Sequence, residues 1–277
     1  MVRFLAALLG ACMLGAGLFA GAALADSTMP LLTGATPNDL QTTVPATAAG
    51  NSLTWNLAHD MQANALSSDP LNPFADAYGH AGVWELMLSS GTARDPATYS
   101  DLNGPVEGDS NGDCADNSGL GSYPPGVVSW TQGPLSTSPY AQATVNTTDA
   151  TVGTPCATGQ ILPSHSAFVH PGPSNDAVIA WHSPINGGVS LSFRVSDADC
   201  GGGDGIAWYI DRETTDIASG SISNCGSDTH LSRPTSVHRG TTLYLLIDPK
   251  ADYSFDLTEI DLTIYKPPMP PSLPPQS

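Results

Sequence analysis

The chain has 277 residues, 40% hydrophobic and 12% charged, and its 26 Asp and Glu against 8 Lys and Arg give a formal charge of −18. So acidic a chain lacks the Lys/Arg footprint on which nucleic-acid binding rests, and it is too apolar for a disordered polymer. With 28 Gly and 24 Pro, turns are plentiful and long helices disfavoured, so an all-β protein is expected.

Residues 1–25 read as a secretory signal peptide: Arg3 supplies the positive end, an apolar run extends from Phe4 to Leu24, and Ala23-Leu24-Ala25 fits the small-x-small cleavage rule. The mature chain then begins at Asp26 and is secreted. A minor alternative is a lipid anchor at Cys12, because Leu9-Gly10-Ala11-Cys12 is similar to a lipoprotein processing box. Against it, the apolar stretch before Cys12 is short and the run continues well past it. No later stretch approaches the ~18 apolar residues of a membrane span, so no transmembrane segment is expected after signal removal.

Residues 26–50, rich in Thr, Ala and Pro and without hydrophobic period, read as a linker. From 51 to 265 the dominant signal is alternation. Leu53, Trp55 and Leu57 alternate with polar residues, as do Trp84, Leu86 and Leu88, although the segment from Leu57 to Leu66 equally suits a helical turn or two. Val127 to Trp130 and Phe168-Val169 are short candidates, and Ala177 to Trp181 has the continuous apolar character of a central strand. Val189 to Ser196 then puts four apolar side chains on one face and four polar ones on the other. Ile206, Trp208 and Ile210, then Leu243, Leu245 and Ile247, then Ile260, Leu262 and Ile264 repeat the pattern. Gly, Pro, Asn and Asp clusters rather than amphipathic helices separate these strands, which points to a two-sheet antiparallel sandwich, jelly-roll-like, with long loops. Residues 266–277, with six prolines in twelve residues, form a Pro-rich tail expected to be extended and solvated.

With Cys12 removed, Cys114, Cys156, Cys200 and Cys225 form an even set, which in an exported chain implies two disulfides. Cys200 and Cys225 sit at the ends of one predicted hairpin and are expected to pair, leaving Cys114 with Cys156. A four-cysteine metal site has no CxxC pair to seed it.

The second half carries a series of structural motifs: Trp181-His182-Ser183-Pro184 followed by Gly187-Gly188, Gly203-Asp204-Gly205-Ile206 opening a strand, and Gly240 to Asp248 leading to Tyr253-Ser254-Phe255-Asp256-Leu257-Thr258. Their order resembles the galactose-binding-like jelly rolls that occur as carbohydrate-binding modules in secreted bacterial proteins. The resemblance covers about residues 160–265, with Asn72 to Trp84 adding to it, and Gly240-Thr241 departs from the Gly-Asp turn of that pattern. It implies a jelly roll whose ligand is a polysaccharide or cell-surface glycan.

Two acidic clusters are candidate calcium loops, since calcium takes six to eight oxygen ligands and alternate residues of a tight loop converge on one ion. Asp109, Asn111 and Asp113 occupy alternate positions of the first, but Cys114 stands where an EF-hand needs Gly and Leu120 where it needs Glu, so an EF-hand is excluded. The second is Asp197, Asp199 and Asp204, with Asp256 as a further ligand; that sandwich modules of the resembled class hold structural calcium adds to this expectation. Each cluster equally suits a solvated turn. Stacking a sugar needs an accessible ring beside polar groups. Trp181 and Trp208 share faces with apolar partners and are assigned to the core, whereas Tyr78, Trp84 and Tyr253 lie in or beside loops and are the ligand-binding candidates. Tyr209 and Tyr244 point away from the core and offer a strand-face alternative. Gly108-Asp109-Ser110 lies in no strand-to-helix turn and no Asp-x-x-His follows it, which argues against a lipase-like triad. A secreted, non-catalytic glycan-binding module with structural calcium is therefore expected. A glycan-active hydrolase or lyase, needing two convergent carboxylates, and an adhesive surface protein without small ligand are the alternatives.

Overall fold

The structure, a computed structural model, describes residues 52–91, 94–107, 124–132, 141–153 and 160–267. The chain divides into two units, Met1–Thr47 and Ala48–Ser277, and the second holds every described residue. The signal peptide with Cys12, the linker, the loop of Asp109, Asn111, Asp113 and Cys114, Cys156, and all of the tail after Pro267 lie outside the described residues.

In chain order the elements are β1 (Leu53–Asn56), α1 (Leu57–Ala65), β2 (Trp84–Leu88), β3 (Ser100–Asp101), β4 (Asn103–Glu107), β5 (Val127–Thr131), β6 (Gln142–Asn146), β7 (Val152–Gly153) and β8 (Ile161–Leu162). They continue with β9 (Ala167–His170), β10 (Ala177–His182), β11 (Gly187–Asp197), β12 (Ala207–Arg212), β13 (Thr215–Ser221), β14 (Ser227–Leu231), β15 (Thr235–Val237), β16 (Thr242–Asp248) and β17 (Thr258–Lys266). The alternation begun at Leu53 stops at Asn56, whose side chain accepts from the His59 amide at 2.9 Å and caps α1, so Leu57 enters the core from a helix.

One sheet runs β14-β11-β17-β9-β6-β5-β4, with β1 added along β17 and β15 along β11; the other runs β13-β12-β16-β10-β2-β3. Neighbouring strands are antiparallel, and the two sheets form a jelly-roll-like sandwich. Its interior holds the alternating sets read from the sequence: Val189, Leu191, Phe193 and Val195 of the first sheet meet Ile206, Trp208, Ile210, Leu243, Leu245 and Ile247 of the second. Trp181 and Trp208 are buried as expected. No helix among the described residues is long and apolar enough to cross a membrane.

Two carboxylates are built into this interior. Asp60 accepts from the Trp84 indole N–H at 2.8 Å and contacts His59 Nδ1 at 2.9 Å. Asp76 accepts from the Trp55 indole at 2.7 Å and from the amides of Tyr78 and His80 at 3.0 and 2.8 Å, with His80 Nδ1 at 2.7 Å. Each thus finds the donors that a buried acid needs.

Cys200 and Cys225 are bonded, 25 residues apart. As expected, they flank one hairpin, β12–β13. Cys200 follows β11 and Cys225 precedes β14, neighbours in the first sheet that pair Ser196 with Ser227. Between them the chain crosses to the second sheet for the β12–β13 hairpin, so the bond ties the points of departure and return.

Candidate functional site

The outward face of the second sheet concentrates aromatic and ionisable side chains. Alternation turns Trp84, Ile179, Leu243 and Ile210 into the core, so their neighbours Glu85, Ala180, Tyr244 and Asp211 face the other way. Strand register lines these up in one row: Glu85 opposite Ala180, Ala180 opposite Tyr244, Tyr244 opposite Asp211, and Asp211 opposite Asp216. The adjacent row holds Asp101, Met87, Val178, Leu246 and Tyr209, which makes Tyr209 and Tyr244 diagonal neighbours.

Residues 94–99, ahead of β3, bring Arg94 and Tyr99 onto this face. Arg94 stacks on the Tyr209 ring at 4.4 Å and reaches Asp211 at 3.1 Å and Asp216 at 3.0 Å. Tyr99 meets Tyr244 edge to face at 5.3 Å. Val178, Ala180 and Leu246, outward by alternation, are nonetheless buried. Burial raises the carboxyl of Asp211 while Arg94 pulls it back, and burial together with the nearby Asp211 and Asp176 charges raises the Tyr99 phenol.

Two further groups complete the face. His182 bridges Thr242 Oγ1 at 3.0 Å and Glu85 Oε2 at 2.8 Å. The hydrogen bond from His182 holds Glu85 below the ordinary carboxylate range, whereas burial and the neighbouring Glu85 push Asp101 up to about 6. Asp176 is 1% exposed and neither of its carboxyl oxygens has a partner. The Ser89 hydroxyl beside it gives its one proton to the Gly91 carbonyl and accepts from the Asp176 amide. Burial, then the charge of Asp248, pushes Asp176 up to about 7.

The ligand candidates drawn from the sequence are not brought together. Trp84 is 0% exposed with its indole committed to Asp60, so its ring presents no face to a sugar. A tryptophan inside an alternating strand is a core residue, and that periodicity outweighs its nearness to a loop. Tyr78 is 47% exposed, but its hydroxyl accepts from the Thr54 amide at 3.0 Å and its ring packs on Trp55, which makes it part of the β1 junction. Tyr253 lies half-buried against His170. The strand-face pair Tyr209 and Tyr244 is where rings and charges meet. Arg94, Tyr99, Asp101 and Asp176 escape sequence reasoning because their segments carry no motif; Glu85, fixed outward between Trp84 and Leu86, was accessible to it.

The second acidic cluster is also rearranged. Among the described residues no group of three or more His, Cys, Asp or Glu side chains is placed to hold a metal ion. Asp197 accepts from the amides of Asp199 at 2.8 Å and Cys225 at 2.7 Å, Asp199 from the Gly201 amide and the Gln160 side chain, and Asp204 from the Ala251 amide. Asp197 and Asp199 each cap their own turn and hold a distant segment as well, and Asp204 ties the Ala251 segment. Asp256 differs: it is 2% exposed, neither oxygen is partnered, and it lines a small cavity with Asp197, Gly205, Ile206, Ile222 and Thr258. Burial and the nearby Asp204, Asp197 and Asp252 push it up to about 8. The Lys250 ammonium occupies the adjoining carbonyls of Asp204 and Ile222, both at 2.9 Å.

No protein-family model and no curated protein sequence matches the chain. Solved structures similar to it include carbohydrate-binding modules, the class the sequence resembles. The C-terminal family 6 module of a marine laminarinase from Zobellia galactanivorans is 18% identical, covering 36% of this chain and 80% of its own, with a TM-score of 0.24. A family 51 module from Clostridium perfringens, in complex with methyl-galactose, is 11% identical, covering 39% and 75%, at 0.29. A family 35 module from Clostridium thermocellum is 15% identical, covering 36% and 77%, at 0.25. At such values these remain likenesses, and the sandwich rests on the strand pairing itself.

Proposed function

We propose that this chain is an exported glycan-binding module whose ligand lies along the tyrosine face of the second sheet. The observation that carries the reading is the convergence of Tyr99, Tyr209 and Tyr244 with Arg94, Glu85, Asp211 and His182 on one outward strand face. Rings supply stacking surface for a pyranose and the surrounding groups supply donors and acceptors for hydroxyls. Pull-down on a panel of insoluble glycans is expected to retain the protein, and Tyr244→Ala to lose about tenfold in affinity. Retention on no member of a broad panel removes the reading. Export itself is tested by N-terminal sequencing of secreted protein, with Asp26 expected first.

The calcium expectation passes to two places: the loop of Asp109, Asn111 and Asp113, and the cavity between Asp197 and Asp256. A buried carboxylate without donors needs either a proton or a cation, and Asp256 is such a group. Calcium there would rest on Asp256, since Asp197 already accepts the Asp199 and Cys225 amides. An ion bound only by the folded chain raises the melting midpoint by mass action, so a midpoint unmoved by chelator discards both sites.

A further inference from the structure

Resting on that reading, we infer that the segment from Arg94 to Tyr99 is a built-in strap: it occupies the tyrosine face with the chain's own side chains and is displaced when a glycan ring stacks there.

The segment places one group on each of the two strand tyrosines. The Arg94 guanidinium lies over the Tyr209 ring, 4.4 Å from its centre, and the Tyr99 ring meets Tyr244 at 5.3 Å with the planes 80° apart. A pyranose cannot use the Tyr209 plate on the side that Arg94 takes, because the guanidinium already stands at stacking distance. The same two carboxylate contacts that hold Arg94 there also take up Asp211, an acceptor otherwise open to a sugar hydroxyl. Release therefore bares a ring and an acceptor together.

The strap is stiff within itself and weakly tied to the sheet. Asp95 accepts from the Ala97 amide at 3.0 Å, and its carbonyl accepts from the Thr98 amide at 2.9 Å and the Thr98 hydroxyl at 2.8 Å. The Tyr99 amide reaches the Pro96 carbonyl at 3.2 Å, which closes a single 3-10 turn over Pro96–Thr98. Arg94 and Tyr99 thus flank one rigid turn. Directly after it, Ser100 pairs with Leu88 of β2, which anchors the strap when Arg94 lets go. Its other fastening is ionic: Arg94 Nη1 donates to Asp211 at 3.1 Å, and Nη1 and Nη2 both donate to one oxygen of Asp216 at 3.0 Å. The guanidinium is 31% exposed and Asp216 48%, and ion pairs so exposed are weak and screened by salt. A ligand that binds only the released form meets a site whose apparent affinity is lowered by the fraction of chains that are strapped, so nine-tenths closure weakens binding about tenfold.

The test has one arm without ligand. Hydroxyl-radical footprinting read by peptide mass spectrometry is expected to show Tyr209 shielded in the wild-type chain, and Arg94→Gln to raise its labelling several-fold while leaving that of the 47% exposed Tyr78 unchanged. Asp216→Asn loosens the same contact from the other side and is expected to act likewise, which serves if the first variant does not fold. In the second arm the full chain is titrated with hexamers of β-1,4-glucose, β-1,3-glucose and β-1,4-xylose. Arg94→Gln is expected to bind about tenfold tighter than wild type, and high salt to strengthen binding by the wild type but not by the variant. Equal Tyr209 labelling in wild type and both variants overturns the strap and leaves glycan binding standing. Unchanged or weaker binding by Arg94→Gln also overturns it, the weaker case making Arg94 a sugar contact. Binding of no hexamer by either protein removes the glycan reading, and with it the strap's part in that reading.

Discussion

The carboxylates at the sheet interface and those on the loop and outer-face side are equally buried but differently served. Asp60 and Asp76 accept indole, imidazole and amide protons from neighbours fixed by the core. Asp176 and Asp256 accept none. Where an acid is scaffolding, the fold surrounds it with donors; where it is left unserved, its cost is carried by a proton or by something from outside. The difference separates acids that hold the sandwich together from acids that the fold leaves to a proton.

That contrast is open to direct attack. The largest effect belongs to the scaffold: Trp84→Ala removes a fully buried ring and should destabilise by about 3–5 kcal/mol in urea unfolding. Asp76→Ala, which strands the Trp55 indole and two backbone amides, should cost about 3 kcal/mol. If instead it is neutral, the distinction between served and unserved acids fails. Next comes the disulfide. Closing its 25-residue span stabilises by about 3 kcal/mol in the chain-entropy model, so the Cys200→Ala, Cys225→Ala double variant should lose that amount.

The unserved acids give a smaller effect of a recognisable sign. Both are raised, Asp176 to about 7 and Asp256 to about 8, so the folded chain holds protons that the unfolded chain has released. Their contribution is present below the unfolded carboxylate range and drains away as pH climbs through those two values. Stability should therefore fall by about 2 kcal/mol between mildly acid and mildly alkaline solution, read as a drop in urea midpoint. Asp176→Asn should flatten half of that slope and raise stability at alkaline pH. A midpoint that rises with pH over this range contradicts the burial of both groups. The smallest effect is Arg94→Gln, which opens the Tyr209 plate; the 31% exposed guanidinium contributes no more than about 1 kcal/mol to stability, while ligand affinity changes.

Much of the sandwich was legible because a period of two is imposed residue by residue: the sets beginning at Val189, Ile206, Leu243 and Ile260 all occupy the core. The same rule correctly sent Tyr209 and Tyr244 outward, and taken one residue further it would have placed Glu85 beside them. Trp84 stands beside loop residues, yet its own strand period decides its place in the core. What no local pattern carries is long-range placement. Arg94 meets residues 117 and 122 positions away, and nothing around it distinguishes it from any loop arginine. Likewise Asp197, Asp199 and Asp204 were spaced for an ion, yet a spacing that suits a metal also suits an Asx turn, and the backbone amides are nearer.

The Cys200–Cys225 bond encloses the whole β12–β13 excursion, including its exposed tip at Glu213 and Thr214. A protease that nicks this tip cannot release either piece. The strand bearing Tyr209 and Asp211 would stay tethered on one side of the cut and the strand bearing Asp216 on the other, so a cleaved molecule would migrate as one species until reduced. A cut at this exposed tip would therefore leave Tyr209, Asp211 and Asp216 covalently held to the same molecule.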